Sequence, residues 1–315
     1  MTLYRGDCLQ SLREMADGSV RTCVTSPPYF GLRDYGMPGQ LGLEATPDGF
    51  VAAMVSVFRE VRRVLRDDGT LWLNLGDSYS TGLKWGGSTS GKAAAGVHGA
   101  VGGGRAKARH GIPDKNLIGI PWRLAFALQA DGWILRQDII WSKPNPMPES
   151  VRDRCTKAHE YLFLLSKSPR YYFDIEAMKE PAVGNAKGAA ATFKRNGSKR
   201  EQCLPGQSYG THRPDRENVA YNETRNRRDV WTVSTKPFKG AHFATFPVDL
   251  IEPCILAGSK VGDIVLDPFM GAGTTGVAAV KNGRRWVGCE LNPEYADMAE
   301  LRIARAFAAY LDCRP

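Results

Sequence analysis

The amino-acid sequence predicts an α/β fold built on a doubly wound, mostly parallel sheet. Short apolar runs recur along the chain in the manner of strands that are buried on both faces. Each run leads into a stretch whose apolar residues follow the period of a helix, and this alternation builds such a sheet. The pattern breaks at residues 80–113 and 179–240 and resumes after each break. We therefore expect one sheet with inserted segments.

The elements before the second break follow one another closely. They are a strand at 3–5, a helix at 9–15, a strand at 21–25, a helix at 50–66, a strand at 70–75, a helix at 117–131 and strands at 134–141 and 161–165. The helix at 50–66 has a clear period, with apolar residues at Val51, Met54, Val55, Phe58, Val61 and Leu65. Asp67-Asp68-Gly69 is predicted to end that helix, and the strands at 134–141 and 161–165 can pair as an antiparallel edge.

The regular pattern returns near the C-terminus. It gives a strand at 264–266, a helix at 274–282, a strand at 285–289 and a helix that opens with Pro293. Proline suits the first position of a helix because the amide hydrogen that it lacks would have no partner there. These elements complete the predicted sheet.

Composition excludes several classes of protein. Of the 315 residues, 43% are hydrophobic and 24% are charged. No apolar run approaches the roughly 18 residues of a membrane-spanning helix. The N-terminus lacks the pattern of a secretory signal, so we expect a cytoplasmic protein that does not associate with a membrane. Seven scattered cysteines and five histidines show no ligand spacing, so we expect reduced thiols and no metal site.

The net charge of +9 is concentrated in the two irregular segments. Residues 80–113 carry five Lys/Arg and no acid, and residues 179–239 carry thirteen Lys/Arg against six Asp/Glu. The rest of the chain is slightly acidic. This distribution is typical of a catalytic domain whose basic segments contact a nucleic acid. Two solvated loops with an accidental bias are the alternative.

A glycine turn near the C-terminus predicts a nucleoside site. Gly271 and Gly273 stand between a strand and a helix, so the backbone can approach a ligand closely at the carboxyl edge of the sheet. Glu290 ends the next strand, where a carboxylate can accept hydrogen bonds from both ribose hydroxyls. Taken alone, the two glycines could form only a tight turn, and Glu290 could be only a solvated carboxylate at a strand end.

This turn fits S-adenosylmethionine better than NAD. The third glycine of the dinucleotide fingerprint is missing, because Gly276 stands at a different spacing. Asp267 suits an α-amino or sulfonium cation better than a pyrophosphate. Asp7, after the first strand, is placed to meet the adenine amino group, and it has an equally good interpretation as the cap of the following helix.

Ser26-Pro27-Pro28-Tyr29 predicts a site for a flat ring that bears an amino group. The two prolines fix the backbone and lack amide hydrogens, so the carbonyls of Ser26 and Pro27 are left to accept from a ligand. Acceptors on the amino hydrogens favour the pyramidal nitrogen, whose lone pair can attack a methyl carbon. Tyr29 supplies a ring for stacking. A simple strand-ending turn is the alternative.

These motifs, in this order, resemble the amino-group DNA methyltransferases of the permuted class called beta. The similarity extends to further segments, at 3–12, 69–77, 140–145, 159–160, 229–231 and 242–247. The resemblance implies the fold of an S-adenosylmethionine-dependent methyltransferase, with seven strands of which one is antiparallel. It also implies a catalytic half at 1–178, a target-recognition insertion at 179–240 and a cofactor-binding half at 241–315. S-adenosyl-L-methionine is the implied cofactor.

The resemblance also assigns roles to residues. The implied cofactor contacts are Asp7, Asp267, Phe269, Gly271, Gly273, Thr275 and Glu290. A base flipped out of duplex DNA would be held by Ser26, Pro27, Pro28 and Tyr29. In the insertion, the candidates for contact with DNA are Arg195, Arg200, Arg213, Arg225, Arg227 and Arg228, each of which is expected to meet phosphate or solvent more often than a base.

The expected function is site-specific methylation of the exocyclic N4 amino group of cytosine in DNA. Ser26 favours cytosine by analogy within the family, because aspartate at this position is usual in the N6-adenine enzymes. Methylation of adenine is the nearest alternative, and methylation of RNA or a protein amide, or a non-catalytic DNA-binding regulator, is more remote. The expected partner is double-stranded DNA. The sequence leaves open whether the protein forms a homodimer and whether a cognate restriction endonuclease acts on the same site. It also leaves open whether residues 80–113 clamp DNA or act as a spacer.

Overall fold

The computed structural model describes residues 1–80, 111–182, 223–236 and 246–312. The strands in these ranges are β1 (Thr2–Arg5), β2 (Val20–Thr25), β3 (Leu65–Leu75), β4 (Ile134–Ser142), β5 (His159–Ser166), β6 (Lys179–Pro181), β7 (Thr224–Asn226), β8 (Val230–Thr232), β9 (Ile264–Asp267) and β10 (Arg285–Glu290). The helices are α1 (Cys8–Glu14), α2 (Pro47–Val64), α3 (Ile120–Ala130), α4 (Val248–Gly258), α5 (Thr274–Lys281) and α6 (Pro293–Asp312).

Eight of the described strands form one sheet, in the order β1-β10-β9-β2-β3-β5-β4-β8. Neighbouring strands are parallel except in the two pairs that include β5. The predicted doubly wound, mostly parallel sheet with one antiparallel strand is therefore confirmed. β5 lies inside the sheet between β3 and β4, not at an edge. The sheet has one strand more than the seven expected, because the short edge strand β8 joins β4.

The helices cover both faces of the sheet. α1, α2 and α3 pack together on one side, and α4, α5 and α6 on the other. α2 shows how the sequence begins such a helix: Thr46 Oγ1 accepts a hydrogen bond from the backbone N–H of Gly49 at 3.0 Å, and Pro47 follows the cap. None of the helices in the described part of the chain is long and apolar enough to cross a membrane.

The core lies between the sheet and these helices. Every residue of β2 is buried, including Arg21, Thr22 and Thr25, as expected for an inner parallel strand. Cys23 in β2, Leu71 in β3 and Leu266 in β9 have no exposed surface. Both faces of the inner strands are therefore buried. Polar functional groups are expected where these strands end, at the carboxyl edge of the sheet.

β3 begins at Leu65, earlier than the start predicted at residue 70. Leu65 pairs with Val20, but Thr70 pairs with Thr22, so the register shifts between these two pairs. Residues 66–69 form this irregularity inside the strand. Asp67-Asp68-Gly69 was expected to end α2, but the helix already ends at Val64, because the backbone turns to an extended conformation at Leu65.

The chain divides into two compact units. The larger contains Met1–Ala177 and Arg228–Pro315, and the smaller contains Met178–Arg227. In the smaller unit, β6 and β7 pair antiparallel, and Arg225 forms an ion pair with Glu180 at 2.8 Å. The expected insertion at 179–240 is wider than this unit. The difference arises because β8 belongs to the main sheet, where the Trp231 side chain is buried.

Candidate active site

A cavity of about 740 Å³ opens at the carboxyl edge of the sheet, within the larger unit. Residues that end or follow β1, β2, β9 and β10 line it, among them Asp7, Ser26, Pro268 and Glu290. β5 runs in the opposite direction, so its first residues lie at the same edge and Glu160 also lines the cavity. Small-molecule sites typically have volumes of roughly 300–1,000 Å³. The two predicted motifs therefore meet in one space of suitable size.

The turn Ser26-Pro27-Pro28-Tyr29 lines the cavity with all four residues. A glycine supports it from behind: Gly42 has a φ of +96°, and its carbonyl accepts a hydrogen bond from the N–H of Gly31 at 2.7 Å. A Cβ atom at Gly42 would lie 3.2 Å from both the Pro28 Cβ and the Tyr29 carbonyl oxygen. The turn therefore keeps its shape partly because position 42 has no side chain.

The hydroxyl of Tyr29 is the centre of a polar cluster. It lies 2.7 Å from Glu160 Oε2 and 3.1 Å from Asn74 Oδ1, and either oxygen can accept its one hydrogen. Ser26 Oγ lies 3.5 Å from the same hydroxyl. Burial raises the pKa of Tyr29 well above its usual range, and the neighbouring Glu160 carboxylate raises it further. Tyr29 is thus held as a neutral phenol.

Glu160 connects this cluster to a lysine. Its Oε1 accepts a hydrogen bond from Lys143 Nζ, and the two side chains are only 15% and 17% exposed. The Lys143 ammonium also lies 4.2 Å from the centre of the Trp141 ring, a cation–π contact. β4 and β5 pair Trp141 with Glu160, and this register brings the lysine and the carboxylate together.

Sequence reasoning gave no role to Asn74, Lys143 or Glu160, although all three line the cavity. Asn74 had a usable signal, since an amide within the apolar run of β3 needs polar partners when it is buried. Its Nδ2 donates to the carbonyl of Tyr161 at 3.1 Å. Glu160 had no comparable signal, because its place at this edge depends on the direction of β5.

A glycine lies behind the ring of Tyr29. A Cβ atom at Gly76, just after β3, would lie 2.6 Å from Tyr29 Cε2 and 3.4 Å from Glu160 Cδ. The first distance is shorter than any normal contact between carbon atoms. Glycine at position 76 therefore allows the ring to lie against the end of β3.

Glu290 and the glycine turn form another part of the cavity wall. Gly271 has a φ of +50°, and its N–H donates to Glu290 Oε2 at 2.7 Å. Glu290 Oε1 accepts from the N–H of Asn292 at 2.9 Å. Burial raises the pKa of Glu290, and these two backbone hydrogen bonds oppose the rise. Each carboxylate oxygen retains a lone pair, so Glu290 can still accept hydrogen bonds from a ligand.

Asp7 and Phe269 also line the cavity. Asp7 Oδ1 accepts from the backbone N–H of Gln10 at 2.8 Å and so caps α1. Its two interpretations, helix cap and ligand contact, are therefore compatible. Two tyrosines that sequence reasoning missed line the same cavity: the rings of Tyr35 and Tyr295 meet edge to face, with centroids 6.3 Å apart.

Asp267, which was expected to meet the cofactor, is not among the residues that line the cavity. Its side chain is 1% exposed. Oδ1 accepts from Thr25 Oγ1 at 2.6 Å and from the Phe269 N–H at 3.0 Å, and Oδ2 accepts from Thr275 Oγ1 at 2.6 Å. Burial raises the pKa of Asp267 to about 6, although these hydrogen bonds oppose the rise. Asp267 thus ties β2, β9 and α5 together from inside.

Gly273 and Thr275 are likewise absent from the cavity wall, although both were expected to contact the cofactor. Thr275 is fully buried because its hydroxyl donates inward to Asp267. Gly273 has a φ of +79°, and a Cβ there would lie 2.9 Å from the Ala299 Cα. Its role in the structure is the close packing of α5 against α6. Of the predicted cofactor contacts in this motif, Phe269 and Gly271 line the cavity, and Pro268, Met270, Ala272 and Thr274 line it beside them.

The six predicted DNA-binding arginines are placed only in part. Arg195, Arg200 and Arg213 lie outside the described residues, as does nearly all of the 80–113 segment. Arg225 is held by Glu180 in the smaller unit, Arg227 ends that unit, and Arg228 begins the second segment of the larger one.

The remaining cysteines and acids of the described ranges give no sign of a metal centre. No group of three or more His, Cys, Asp or Glu side chains in those ranges is arranged to hold an ion. Cys8, Cys23, Cys254 and Cys289 are buried free thiols, whereas Cys155 is exposed. Burial raises the pKa of Cys8 to about 12, so this thiol is a neutral part of the core.

Known proteins resemble this chain over most of its length. A family model described as DNA methylase, for the N6/N4 methyltransferases, matches residues 20–301. The type II methyltransferase M.Cfr9I of Citrobacter freundii is 49% identical over 302 residues, which cover 96% of this chain and 87% of that protein. The type II methyltransferase M.SmaI of Serratia marcescens is 46% identical over 301 residues, with coverage of 95% and 89%.

Two solved structures share the fold. A putative DNA modification methylase from Thermus thermophilus, complexed with S-adenosyl-L-methionine, gives a TM-score of 0.60 at 24% identity and covers 97% of this chain and 93% of its own. PvuII DNA methyltransferase, described as cytosine-N4-specific, gives a TM-score of 0.63 at 18% identity, with coverage of 99% and 93%. At these identities the likeness concerns the fold alone, and it agrees with the predicted α/β architecture.

Proposed function

The chain belongs to the DNA methylase family whose model matches residues 20–301, and from that premise we propose that it methylates the N4 amino group of cytosine in double-stranded DNA. The methyl donor is S-adenosyl-L-methionine. The observation that carries this proposal is the shared cavity, which Ser26-Pro27-Pro28-Tyr29 and the pair Gly271 and Glu290 line together. A base amino group and a methyl donor bound there would occupy one continuous space.

The residues around the glycine turn suit the methyl donor. Glu290 is fixed by two backbone N–H groups and keeps a lone pair on each oxygen for the two ribose hydroxyls. Phe269 and Tyr295 offer rings beside the same wall for an adenine, and Asp7 offers an acceptor for its amino group. When bound, S-adenosyl-L-methionine supplies an electrophilic methyl group. These side chains bind and orient, which is what the transfer requires of them.

The Ser26 turn suits the amino group that receives the methyl. An exocyclic amino nitrogen is a poor nucleophile because its lone pair is delocalised into the base. Ser26 Oγ and the carbonyl of Pro27 are the acceptors for its two hydrogens, and these bonds favour the pyramidal nitrogen with a localised lone pair. Pro27 and Pro28 carry no amide hydrogen that would compete. No covalent bond between the protein and the base is required.

Cytosine is proposed over adenine because of the serine at position 26. In the amino-group DNA methyltransferases that the chain resembles, serine at this position is typical of N4-cytosine enzymes and aspartate is typical of N6-adenine enzymes. The structural neighbour with the cytosine-N4-specific description is consistent with this choice, although at 18% identity it supports only the fold. Ser26 lines the cavity, so the residue on which the choice depends is in a position to meet the base.

A paired base cannot enter this cavity, so the proposal includes flipping of the target nucleotide out of the duplex. The basic residues of the 179–240 segment, Arg225, Arg227 and Arg228 among them, would neutralise phosphates on either side of the distorted site. Arg195, Arg200 and Arg213 belong to the same proposed contact set. The target-recognition role of this segment is proposed from its charge and its place in the chain.

The names of the relatives suggest a partner enzyme for this protein. Several are type II methyltransferases, a designation used for the modifying member of a restriction system, so a cognate endonuclease for the same site is part of the proposal. A homodimer remains a proposal from the resemblance alone. An enzyme of this kind would act in the cytoplasm, where bacterial DNA lies.

A competition assay with radiolabelled S-adenosyl-L-methionine tests the substrate class. Unmethylated duplex DNA, total RNA and a protein extract are offered together, and the label in each fraction is counted. We expect the label in the DNA fraction, and the Ser26→Ala variant should leave that fraction unlabelled. Label in RNA or protein, or labelling of DNA that persists in the variant, would contradict the proposed function.

A further inference from the structure

The side chain of Ser26 stands at one end of a hydrogen-bonded chain that the proposed reaction does not by itself explain. Ser26 Oγ lies 3.5 Å from the Tyr29 hydroxyl, which lies 2.7 Å from Glu160 Oε2. The other oxygen of Glu160 accepts from Lys143. Ser26, Tyr29, Glu160 and Lys143 all line the cavity, so the chain runs along its wall.

The groups around Tyr29 settle which way its hydroxyl hydrogen points. A phenol has one hydrogen to donate, and the carboxylate of Glu160, paired with Lys143, has only acceptor oxygens. Asn74 presents a second acceptor. Its amide nitrogen donates to the carbonyl of Tyr161, which fixes the amide with Oδ1 toward Tyr29. Both neighbours therefore draw the phenol hydrogen away from Ser26.

The orientation of the Tyr29 hydroxyl determines the orientation of the Ser26 hydroxyl. Because the one hydrogen of Tyr29 is directed to Glu160 or Asn74, the oxygen of Tyr29 can only accept from Ser26. The Ser26 hydroxyl then donates to Tyr29, and its own lone pairs face the cavity as acceptors. A serine with the opposite orientation would offer a hydrogen to the base and would repel an amino group.

We propose that Glu160 is a positioning residue that acts through Tyr29 to orient the Ser26 hydroxyl as a hydrogen-bond acceptor for the amino group of the target base. This inference rests on the proposed function, and it adds a determinant of which ring substituent the site accepts. A glutamine at position 160 could donate its amide hydrogens to Tyr29. It would thereby permit the reversed chain, in which Ser26 is a donor.

The test compares Glu160→Gln with wild type in single-turnover methylation of duplex DNA, together with affinity for S-adenosyl-L-methionine and for DNA. Misorientation of one group at a reacting centre costs on the order of 10²-fold in rate. We expect a loss of that order in the rate constant, with little change in either affinity. Glu160→Asp keeps an acceptor-only side chain and should recover part of the rate. Glu60→Gln is the matched control, since Glu60 is paired with Arg63 and does not line the cavity.

A double variant distinguishes action through Tyr29 from other effects. In a Tyr29→Phe background the chain is already broken, so Glu160→Gln should cost little additional rate. If Glu160→Gln leaves Lys143 unpaired and the protein does not fold, Lys143→Gln/Glu160→Gln removes that charge and should show the same loss of rate.

Three outcomes would overturn the inference: a wild-type rate in the folded glutamine variants, an equal loss from Glu160→Gln with and without Tyr29, or no recovery with aspartate. Failure of the proposed function is distinguishable from these, because wild-type protein would then transfer no methyl group to DNA.

Discussion

The backbone N–H of Gly271 donates to the carboxylate of Glu290 at 2.7 Å, so the turn after β9 and the end of β10 are held as one rigid wall. The neighbouring N–H of Asn292 binds the other oxygen at 2.9 Å. One carboxylate thus stabilises a positive-φ turn and still presents acceptors to the cavity. Through these bonds a glycine in the turn after β9 and an acid at the end of β10 form one part of the cavity wall.

Replacement of Glu290 by alanine should weaken cofactor binding. Hydrogen bonds to a charged group contribute about 1.5–3 kcal/mol each, so the loss of even one of the two proposed ribose contacts should lower the affinity for S-adenosyl-L-methionine at least on the order of 10–100-fold. Isothermal titration calorimetry with wild type and Glu290→Ala measures this directly. Affinity for duplex DNA in the absence of cofactor serves as the control and should not change. An unchanged cofactor affinity would remove Glu290 from the binding site.

Asp267 should affect stability and its pH dependence, not cofactor affinity. Its pKa is raised to about 6 in the folded protein from an ordinary value of 3.8, so the folded state binds more protons than the unfolded state between about pH 4 and pH 6. The free energy of unfolding therefore falls as the pH rises through this window, on the order of 1–3 kcal/mol in total. Asp267→Asn keeps acceptors for Thr25 and Phe269 and should lack this dependence.

Urea denaturation at a series of pH values tests the prediction for Asp267. The difference in unfolding free energy between wild type and Asp267→Asn cancels the other titrating groups. We expect wild type to lose stability relative to the variant from about pH 4 to about pH 6, whereas the opposite slope would indicate a carboxylate stabilised in its charged form. A large loss of cofactor affinity in Asp267→Asn would restore the contact expected from the sequence.

Gly76→Ala should reduce turnover and leave the cofactor site intact. The new Cβ would lie 2.6 Å from Tyr29 Cε2, so the ring has to move. Displacement of a substrate-positioning group by about 1 Å costs on the order of 10²-fold in rate. Steady-state methylation kinetics and calorimetric cofactor titration give the two readouts. Wild-type turnover in a folded Gly76→Ala protein would show that the position of Tyr29 does not limit the reaction.

Gly273→Ala should destabilise the fold. The substitution places a methyl group 2.9 Å from the Ala299 Cα and 3.0 Å from its Cβ, and it requires a positive φ of an alanine. Strained backbone and overpacking together cost roughly 2–4 kcal/mol. Urea denaturation measures the loss, and Ala299→Gly in the same protein should recover part of it. Normal stability with a selective loss of cofactor affinity would instead return Gly273 to the cavity wall.

Local features of the chain were sufficient to predict the sheet and the two motifs that meet at its edge. Ser26 and Glu290 lie at the cavity because each ends or follows a parallel strand, and strand ends can be recognised from short stretches of sequence. The direction in which a side chain points at such a turn is harder to predict from the sequence. Asp267 points inward because Thr25 and Thr275, from other elements, provide hydroxyl donors there.

Glu160 and Lys143 required long-range information. Their proximity depends on the insertion of β5, antiparallel, between β3 and β4, and on the register that pairs Trp141 with Glu160. The sequence indicated an antiparallel pairing of β4 with β5, but it placed that pair at an edge. The predicted strand at 70–75 places Gly76 directly after a strand end, while its contact with Tyr29 depends on two loops meeting in space.

The most direct test of the proposed chemistry is mass spectrometry of nucleosides. Unmethylated duplex DNA is incubated with the protein and S-adenosyl-L-methionine, digested to nucleosides, and compared with a parallel reaction of Ser26→Ala. We predict N4-methylcytosine in the wild-type reaction and its loss in the variant. N6-methyladenine instead of N4-methylcytosine would contradict the base assigned to the Ser26 site, and the absence of any methylated nucleoside would contradict the shared-cavity mechanism itself.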